Sequence, residues 1–173
     1  MPINTSAFQH DKTEGHDEWL TPKYITDGLG PFDLDPCAPI VRPWETAAKY
    51  YTVQDDGLIS PWSGRIWCNP PYGNVAPKFM KLMAEHGNGI ALTFARTDTK
   101  MFHEWIFPYA SAILFLKGRL TFCTVDGKEG KTTSGAPSVL VAYGANNAAK
   151  LLNWKYNGKQ PGYYVKLRDR RKT

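Results

Sequence analysis

The sequence has few of the residues from which several common kinds of site are built. Its three cysteines, at positions 37, 68 and 123, are odd in number and widely spaced, which fits neither a disulfide framework nor a zinc pattern. The four histidines have no metal-ligand spacing, so no metal site is predicted. No apolar run approaches the ~20 residues of a membrane span, and the polar first 15 residues lack a signal-peptide core. We therefore expect a reduced cytoplasmic protein that does not contact a membrane.

The net charge favours a polyanionic partner such as DNA. A formal charge of +5 and a pI near 9.1 suit a protein that neutralises phosphates, although many proteins that bind no nucleic acid are mildly basic. The chain length and the 42% hydrophobic content predict one packed domain over residues 17–165. A flexible extension is expected over residues 1–16, and a basic tail over 166–173.

Short apolar runs alternate with polar or helical stretches along the chain. The runs at 32–35, 65–69, 89–95, 111–116 and 138–144 predict strands. Helices are predicted over 75–86, 100–109 and 147–154. Thr21-Pro22 is a typical helix start, which predicts a capped helix with Trp19 in the core. This alternation predicts an α/β fold with one open sheet flanked by helices.

The motif Asn69-Pro70-Pro71-Tyr72 follows the apolar run RIWC, where ligands of an open α/β sheet bind. Two prolines remove two backbone donors, so strand pairing must end there and leave the carbonyl groups free. The Asn69 side-chain oxygen and the Pro70 carbonyl can each accept one N–H of an exocyclic amine, and Tyr72 can stack on an extruded base. The alternative is a proline-rich turn after an edge strand, but the full motif favours the catalytic interpretation.

Other polar residues are candidates for ligand contacts. Asp35 closes the first apolar run before Pro36 and could hold the amino group or ribose hydroxyls of a nucleotide-like cofactor, although Asp-Pro also starts ordinary turns. Asp56 could reach a purine amino group, but a surface turn explains it equally well. Arg96, Arg119 and Phe122 could meet phosphate and base, with surface salt bridges and core packing as the alternatives.

These motifs together resemble the phage-type DNA N6-adenine methyltransferase family, the Dam-like enzymes of bacteriophages and prophages, from about Glu18 to Trp154. The matching segments are Trp19-Leu20-Thr21-Pro22, residues 32–38, Asp56-Gly57-Leu58, residues 62–72 and Gly118-Arg119-Leu120. The resemblance implies a class I, Rossmann-like methyltransferase fold with a mixed sheet. It also implies S-adenosylmethionine as the methyl donor and Asn69, Pro70, Pro71 and Tyr72 as the catalytic motif. The implied cofactor-binding residues are Trp19, Thr21, Pro22, Asp35, Pro36, Cys37 and Asp56.

The chain departs from the class I pattern at one place. Asp-Pro-Cys-Ala stands where a glycine-rich loop usually follows the first strand. The implied reaction is direct methyl transfer to a flipped adenine in double-stranded DNA, in the host cytoplasm if the protein is phage-encoded, for instance to protect phage DNA from restriction. Cytosine-N4 methylation, protein glutamine methylation and an inactive nucleic-acid-binding relative remain alternatives. Residues 123–137 are the candidate loop for sequence specificity, whereas the target sequence and the oligomeric state stay open.

Overall fold

The computed structural model describes residues 19–167, so the expectations for residues 1–16 and for most of the basic tail lie outside it. The described strands are β1 Leu34–Asp35, β2 Lys49–Tyr50, β3 Ile66–Cys68, β4 Gly89–Phe94, β5 Ala112–Leu116, β6 Ser138–Tyr143 and β7 Gly162–Lys166. The helices are α1 Lys23–Leu29, α2 Ala76–His86 and α3 Ala145–Asn153, with a π-helical turn at Phe102–Ile106. None of the described helices is both long and apolar enough to cross a membrane.

All seven strands form one mixed sheet in the order β2-β1-β3-β4-β6-β5-β7. The strands β2, β1, β3 and β4 are parallel, whereas β6 runs antiparallel to both β4 and β5, and β7 antiparallel to β5. In the sheet β2 lies on one side of β1, whereas the next strand along the chain, β3, lies on its other side. In such sheets the strand order reverses where a ligand crevice opens, which is here at the carboxyl ends of β1 and β3.

Helices cover both faces of the sheet and give the molecule two apolar cores. On one face α1 and α3 pack against a cluster that contains Trp67, and on the other α2 and the π-helical turn pack against Ile66 and Cys68. Successive residues of β3 therefore point to opposite cores, as the period of two in a strand requires. Helix α2 buries one face because its apolar residues recur every three or four positions, and Gly87 ends it in the left-handed conformation. The α/β prediction is confirmed.

The predicted elements match the structure best where the chain is most buried. The runs at 89–95, 111–116 and 138–144 are confirmed as β4, β5 and β6, and the helix predicted over 75–86 is confirmed as α2. The helix predicted over 100–109 is shorter and mostly π-helical, and α3 begins two residues before the predicted position. The prediction missed β2 and β7 because both are edge strands with exposed residues, which give no apolar run.

The segment before α1 differs from its prediction in two respects. A helix does follow Thr21-Pro22, but Pro22 is the N-cap residue and no side chain caps the helix. The placement of Trp19 in the core is wrong, because this side chain is 45% exposed. The Thr21 hydroxyl is thus not used for helix capping, although Thr21 itself is buried.

A polar network centred on the buried Asn147 side chain joins the strand ends opposite the crevice. The Asn147 amide oxygen accepts a hydrogen bond from Arg65 Nε at 2.6 Å, and its nitrogen donates to Asn88 Oδ1 at 2.9 Å and to the Tyr143 carbonyl at 2.8 Å. The Arg65 guanidinium also donates to the carbonyl oxygens of Leu29 and Pro31. One amide in the first turn of α3 therefore ties the starts of β3 and β4 to the end of β6.

We expect Asn147→Ala to lower the free energy of unfolding by about 2–3 kcal/mol, because it removes three hydrogen bonds made by one buried amide, one of them with a charged donor. Asn153→Ala, an exposed site on the same helix whose amide bonds only the Ala149 carbonyl, should cost less than about 0.5 kcal/mol. Urea unfolding of both variants followed by circular dichroism measures the difference. Equal costs for the two substitutions would contradict the importance of the network.

Candidate active site

Two polar side chains meet at the point where the strand order reverses. Asp35 is the last residue of β1, and Asn69 directly follows β3, which pairs in parallel with β1. Both line a small cavity of about 40 Å³, together with Trp19, Thr21, Arg42, Trp44 and Thr46. The structure therefore brings the residues that follow β1 and β3 to one cavity.

Asp35 is a buried carboxylate, with only 3% of its surface exposed. The Thr46 hydroxyl donates to one carboxylate oxygen, and the Cys37 backbone N–H donates to the other at 3.1 Å. Burial raises the pKa of Asp35 to about 6, against the opposing effect of these hydrogen bonds and of nearby Arg42. The carboxylate is thus ionised at neutral pH but sits near its titration point.

The Asp-Pro-Cys-Ala segment replaces a glycine-rich loop with close packing. Pro36 is buried, and a Cβ atom on Gly57 would collide with the Pro36 carbonyl oxygen, so only glycine fits in that turn. The Cys37 and Cys68 sulfurs lie 3.8 Å apart as free thiols. Asp56 lies in the exposed turn before Gly57, where its carboxylate accepts the Leu58 N–H, and it lines neither of the two cavities described here.

The Asn69 amide has one satisfied end and one unsatisfied end. Its nitrogen donates to the Thr21 hydroxyl oxygen at 3.2 Å. Its oxygen Oδ1 is buried and accepts no hydrogen bond from any residue in the range 19–167. Buried acceptors are nearly always paired in native proteins, and an exception calls for an explanation such as a ligand.

The rest of the motif turns the chain from β3 toward α2. Pro70 is buried, and its carbonyl receives no donor within the described part of the chain, whereas Pro71 is exposed. The Tyr72 ring stacks on Phe94, with ring centroids 4.0 Å apart and an interplanar angle of 5°. The Phe122 ring lies at 75° to the same tyrosine ring, with the ring centroids 6.3 Å apart. Because Tyr72 remains 39% exposed, it presents a flat aromatic surface that is backed on one side.

A larger cleft of about 780 Å³ opens at Tyr72 and continues along the end of β4. Its walls include the aromatic rings of Trp19, Tyr72, Phe94 and Phe122, the cations Arg96 and Lys100, and the polar residues 132–135. Trp19 lines both this cleft and the small cavity. The volume lies within the range of sites for ligands of nucleotide size.

The three residues predicted to contact DNA have different environments. Arg96 is exposed in the wall of the cleft, with its guanidinium 5.9 Å from the Phe94 ring centroid. Arg119 is exposed and donates weakly to the Ser134 carbonyl at 3.4 Å, beside the cleft. Phe122 is only 6% exposed and packs in the core, and its ring lines the cleft beside Tyr72.

Sequence reasoning missed several residues that line the two cavities. Arg42, Trp44 and Thr46 lie in an irregular segment between β1 and β2, where no periodicity marks a ligand contact. Phe94 and Lys100 line the cleft near Arg96. The position of Phe94 at the end of β4 is a signal that could have identified it, since ligands bind beyond such strand ends.

Comparison with known protein families gives a match to the family model described as DNA N-6-adenine-methyltransferase (Dam), over residues 9–155. Searches of curated proteins and of solved structures give no significant match. The matched range contains the two strand-end motifs, which begin at Asp35 after β1 and at Asn69 after β3. It also contains both cavities and most of the sheet. Because the match covers most of its length, the chain belongs to the DNA N-6-adenine-methyltransferase (Dam) family, whose activity is methylation of adenine in DNA.

Proposed function

We propose that this protein transfers a methyl group from S-adenosylmethionine to N6 of an adenine flipped out of double-stranded DNA, with Asn69, Pro70, Pro71 and Tyr72 as the catalytic motif. The observation that carries the proposal is the buried Asn69 Oδ1, which has no hydrogen-bond partner in the described chain and stands next to the free Pro70 carbonyl. Two neighbouring acceptors match the two N–H groups of an adenine amine.

The two acceptors would activate a weak nucleophile. The lone pair of adenine N6 is delocalised into the ring, so the nitrogen must be held in line with the electrophile and drawn toward a pyramidal geometry. Hydrogen bonds from the amine to Asn69 Oδ1 and the Pro70 carbonyl favour that geometry and stabilise positive charge on the nitrogen as it forms the new bond. The prolines stiffen the backbone that follows Asn69 and carries the Pro70 carbonyl, and no covalent enzyme intermediate is needed.

The side chains around the small cavity carry the chemical groups expected of a cofactor site. The Asp35 carboxylate suits an ammonium or ribose hydroxyl groups, Arg42 suits a carboxylate, and the Trp19 and Trp44 rings suit a cation. When bound there, S-adenosylmethionine supplies an electrophilic sulfonium methyl group. We assign its binding to Trp19, Thr21, Pro22, Asp35, Pro36 and Cys37, and we propose a class I methyltransferase fold from the crevice at the reversal of strand order. Asp56 is the least supported of the predicted residues, since it faces neither cavity.

The cofactor requires more room than the small cavity offers. A volume of about 40 Å³ is far below the several hundred Å³ of a typical cofactor site. Trp19 is common to both cavities and is 45% exposed, so displacement of this one side chain would join them. We propose that cofactor binding displaces the Trp19 ring.

The large cleft is the proposed site for the flipped base and its flanking phosphates. Flipping costs a few kcal/mol, which stacking on Tyr72 would offset, with Phe94 as the support behind the tyrosine. Arg96 and Lys100 in the wall, and Arg119 beside it, are placed to meet phosphates, in keeping with the net charge of +5. Residues 132–135 border the same opening and are candidates for contacts to neighbouring bases.

Incubation with labelled S-adenosylmethionine and unmethylated DNA, followed by mass spectrometry of the nucleosides, tests the proposal. We expect label in N6-methyladenosine and a loss of at least about 100-fold in rate for Asn69→Ala. Asn74→Ala, an exposed asparagine in the following turn that lines neither cavity, should retain the wild-type rate. Label in N4-methylcytosine would mean that the same mechanism acts on cytosine instead of adenine. Cofactor binding without transfer to DNA would redirect the search to RNA or protein substrates, and absence of binding would indicate an inactive relative.

Tyr72→Ala should lower the methylation rate on duplex DNA by about 10–100-fold, since stacking on an aromatic ring is worth about 1–3 kcal/mol per base. Tyr72→Phe keeps the ring and should stay within about threefold of wild type. Because a mismatched base is easier to extrude, the defect of Tyr72→Ala should shrink on DNA whose adenines are mispaired. A similar defect in both substitutions would assign the role to the hydroxyl and contradict stacking.

Cofactor affinity should fall as the pH drops below about 6, where Asp35 becomes protonated. Burial raises the pKa of this carboxyl to about 6, so it is charged above that value and neutral below it. Calorimetric titration of S-adenosylmethionine from pH 5 to pH 7 should therefore show tighter binding at the higher pH. Asp35→Asn should bind more weakly at pH 7 and lose the dependence on pH. An unchanged pH dependence in Asp35→Asn would assign the titration to another group.

A further inference from the structure

We propose that Thr21 is a positioning residue that holds the Asn69 amide in the orientation needed for catalysis, with the oxygen toward the substrate and the nitrogen away from it. The inference rests on the proposed function and adds to it a role for a residue outside the catalytic motif. Its basis is the pair of observations on one amide, namely that Nδ2 donates to Thr21 Oγ1 at 3.2 Å and that Oδ1 is buried and unpaired.

An asparagine at this position needs such a partner, whereas an aspartate does not. The two ends of an amide have nearly the same shape, and a half-turn of the group exchanges an acceptor for a donor. If the Asn69 nitrogen faced the adenine amine, two N–H donors would face each other and one of the two acceptors would be lost. A carboxylate has two equivalent oxygens and offers an acceptor in either orientation. The Asn69 side chain is therefore functional only if something fixes its rotation.

Thr21 is held where it can do this. Leu20 forms two backbone hydrogen bonds with Cys123, at 2.8 and 2.9 Å, which fix the strand-like segment just before Thr21. On the other side Pro22 begins α1, and the helix has no side-chain cap, so the hydroxyl is not committed to the helix. Thr21 also lines the small cavity, where a bound ligand can accept the hydroxyl proton, so that the oxygen lone pairs are left for Asn69 Nδ2.

Thr21 is also one of the residues proposed above for cofactor binding, and kinetics separate that contact from the positioning of Asn69. Loss of a cofactor contact raises the dissociation constant of S-adenosylmethionine and leaves the rate at saturation nearly unchanged. Loss of amide orientation lowers the rate at saturation and leaves cofactor affinity within a small factor of wild type. Single-turnover methylation at saturating cofactor and DNA, together with calorimetric titration of S-adenosylmethionine, measures both quantities.

The test is a double-mutant cycle between positions 21 and 69. Thr21→Val keeps the shape and removes the acceptor, and we expect the saturated rate to fall about tenfold. Thr21→Ser should restore the rate. In an Asn69→Asp background, where rotation no longer matters, Thr21→Val should cost less than about threefold. Thr26→Val serves as the control, because Thr26 is a buried threonine of α1 whose hydroxyl donates to the Lys23 carbonyl.

The Asn69 side-chain NH₂ signal in a ¹⁵N-correlated NMR spectrum reports on the same contact without any turnover. It is the asparagine signal that disappears in Asn69→Asp, and we expect it to move in Thr21→Val but not in Thr26→Val. If Thr21→Val cost the same loss of rate in the wild-type and Asn69→Asp backgrounds, or if the NH₂ signal stayed unmoved, the inference would be overturned. Absence of methyl transfer by the wild-type protein would instead reject the proposed function, and the NMR result would still decide whether Thr21 holds the amide.

Discussion

The parallel pairing of β1 with β3 is the constraint on which the site depends. Parallel neighbours end at the same edge of a sheet, so the residues that follow them, Asp35 on one strand and Asn69 on the other, are brought into one cavity although 34 positions separate them in sequence. The apolar residues of β3 fix this edge by packing into both cores at once. Polar groups at the end of so rigid a strand have little freedom to relax, which suits the precise placing of a reacting amine.

The hydrogen bonding of buried polar groups differs between the two ends of the parallel strands. At the edge opposite the crevice, the Asn147 amide is bonded at both ends, to Arg65, Asn88 and the Tyr143 carbonyl. At the crevice, the Asn69 amide is bonded only at its nitrogen, and Asp35 remains charged at neutral pH despite its burial. The first arrangement stabilises the fold, whereas the second costs stability and leaves hydrogen-bonding capacity for a ligand.

In the cleft, aromatic rings from several elements pack around Tyr72. Tyr72 directly follows the rigid Pro70-Pro71 segment, and its ring stacks on Phe94 at the end of the neighbouring strand β4. Phe122 contacts the tyrosine from a loop that is itself joined to Leu20 through Cys123. Elements far apart in sequence thus fix one exposed ring. A single strand-end motif therefore does not describe the site that surrounds it.

The sequence by itself determined the α/β class, the buried strands, helix α2 and the two strand-end motifs, because apolar periodicity and proline chemistry are local properties of the chain. It did not reveal the edge strands β2 and β7, which bury too little to leave an apolar run, or the exposure of Trp19. Only the tertiary structure decided that Thr21 bonds Asn69 instead of capping α1, that Phe94 backs Tyr72, and that Arg42, Trp44 and Thr46 join Asp35. These contacts arise from the order of strands in the sheet, which no stretch of neighbouring residues encodes.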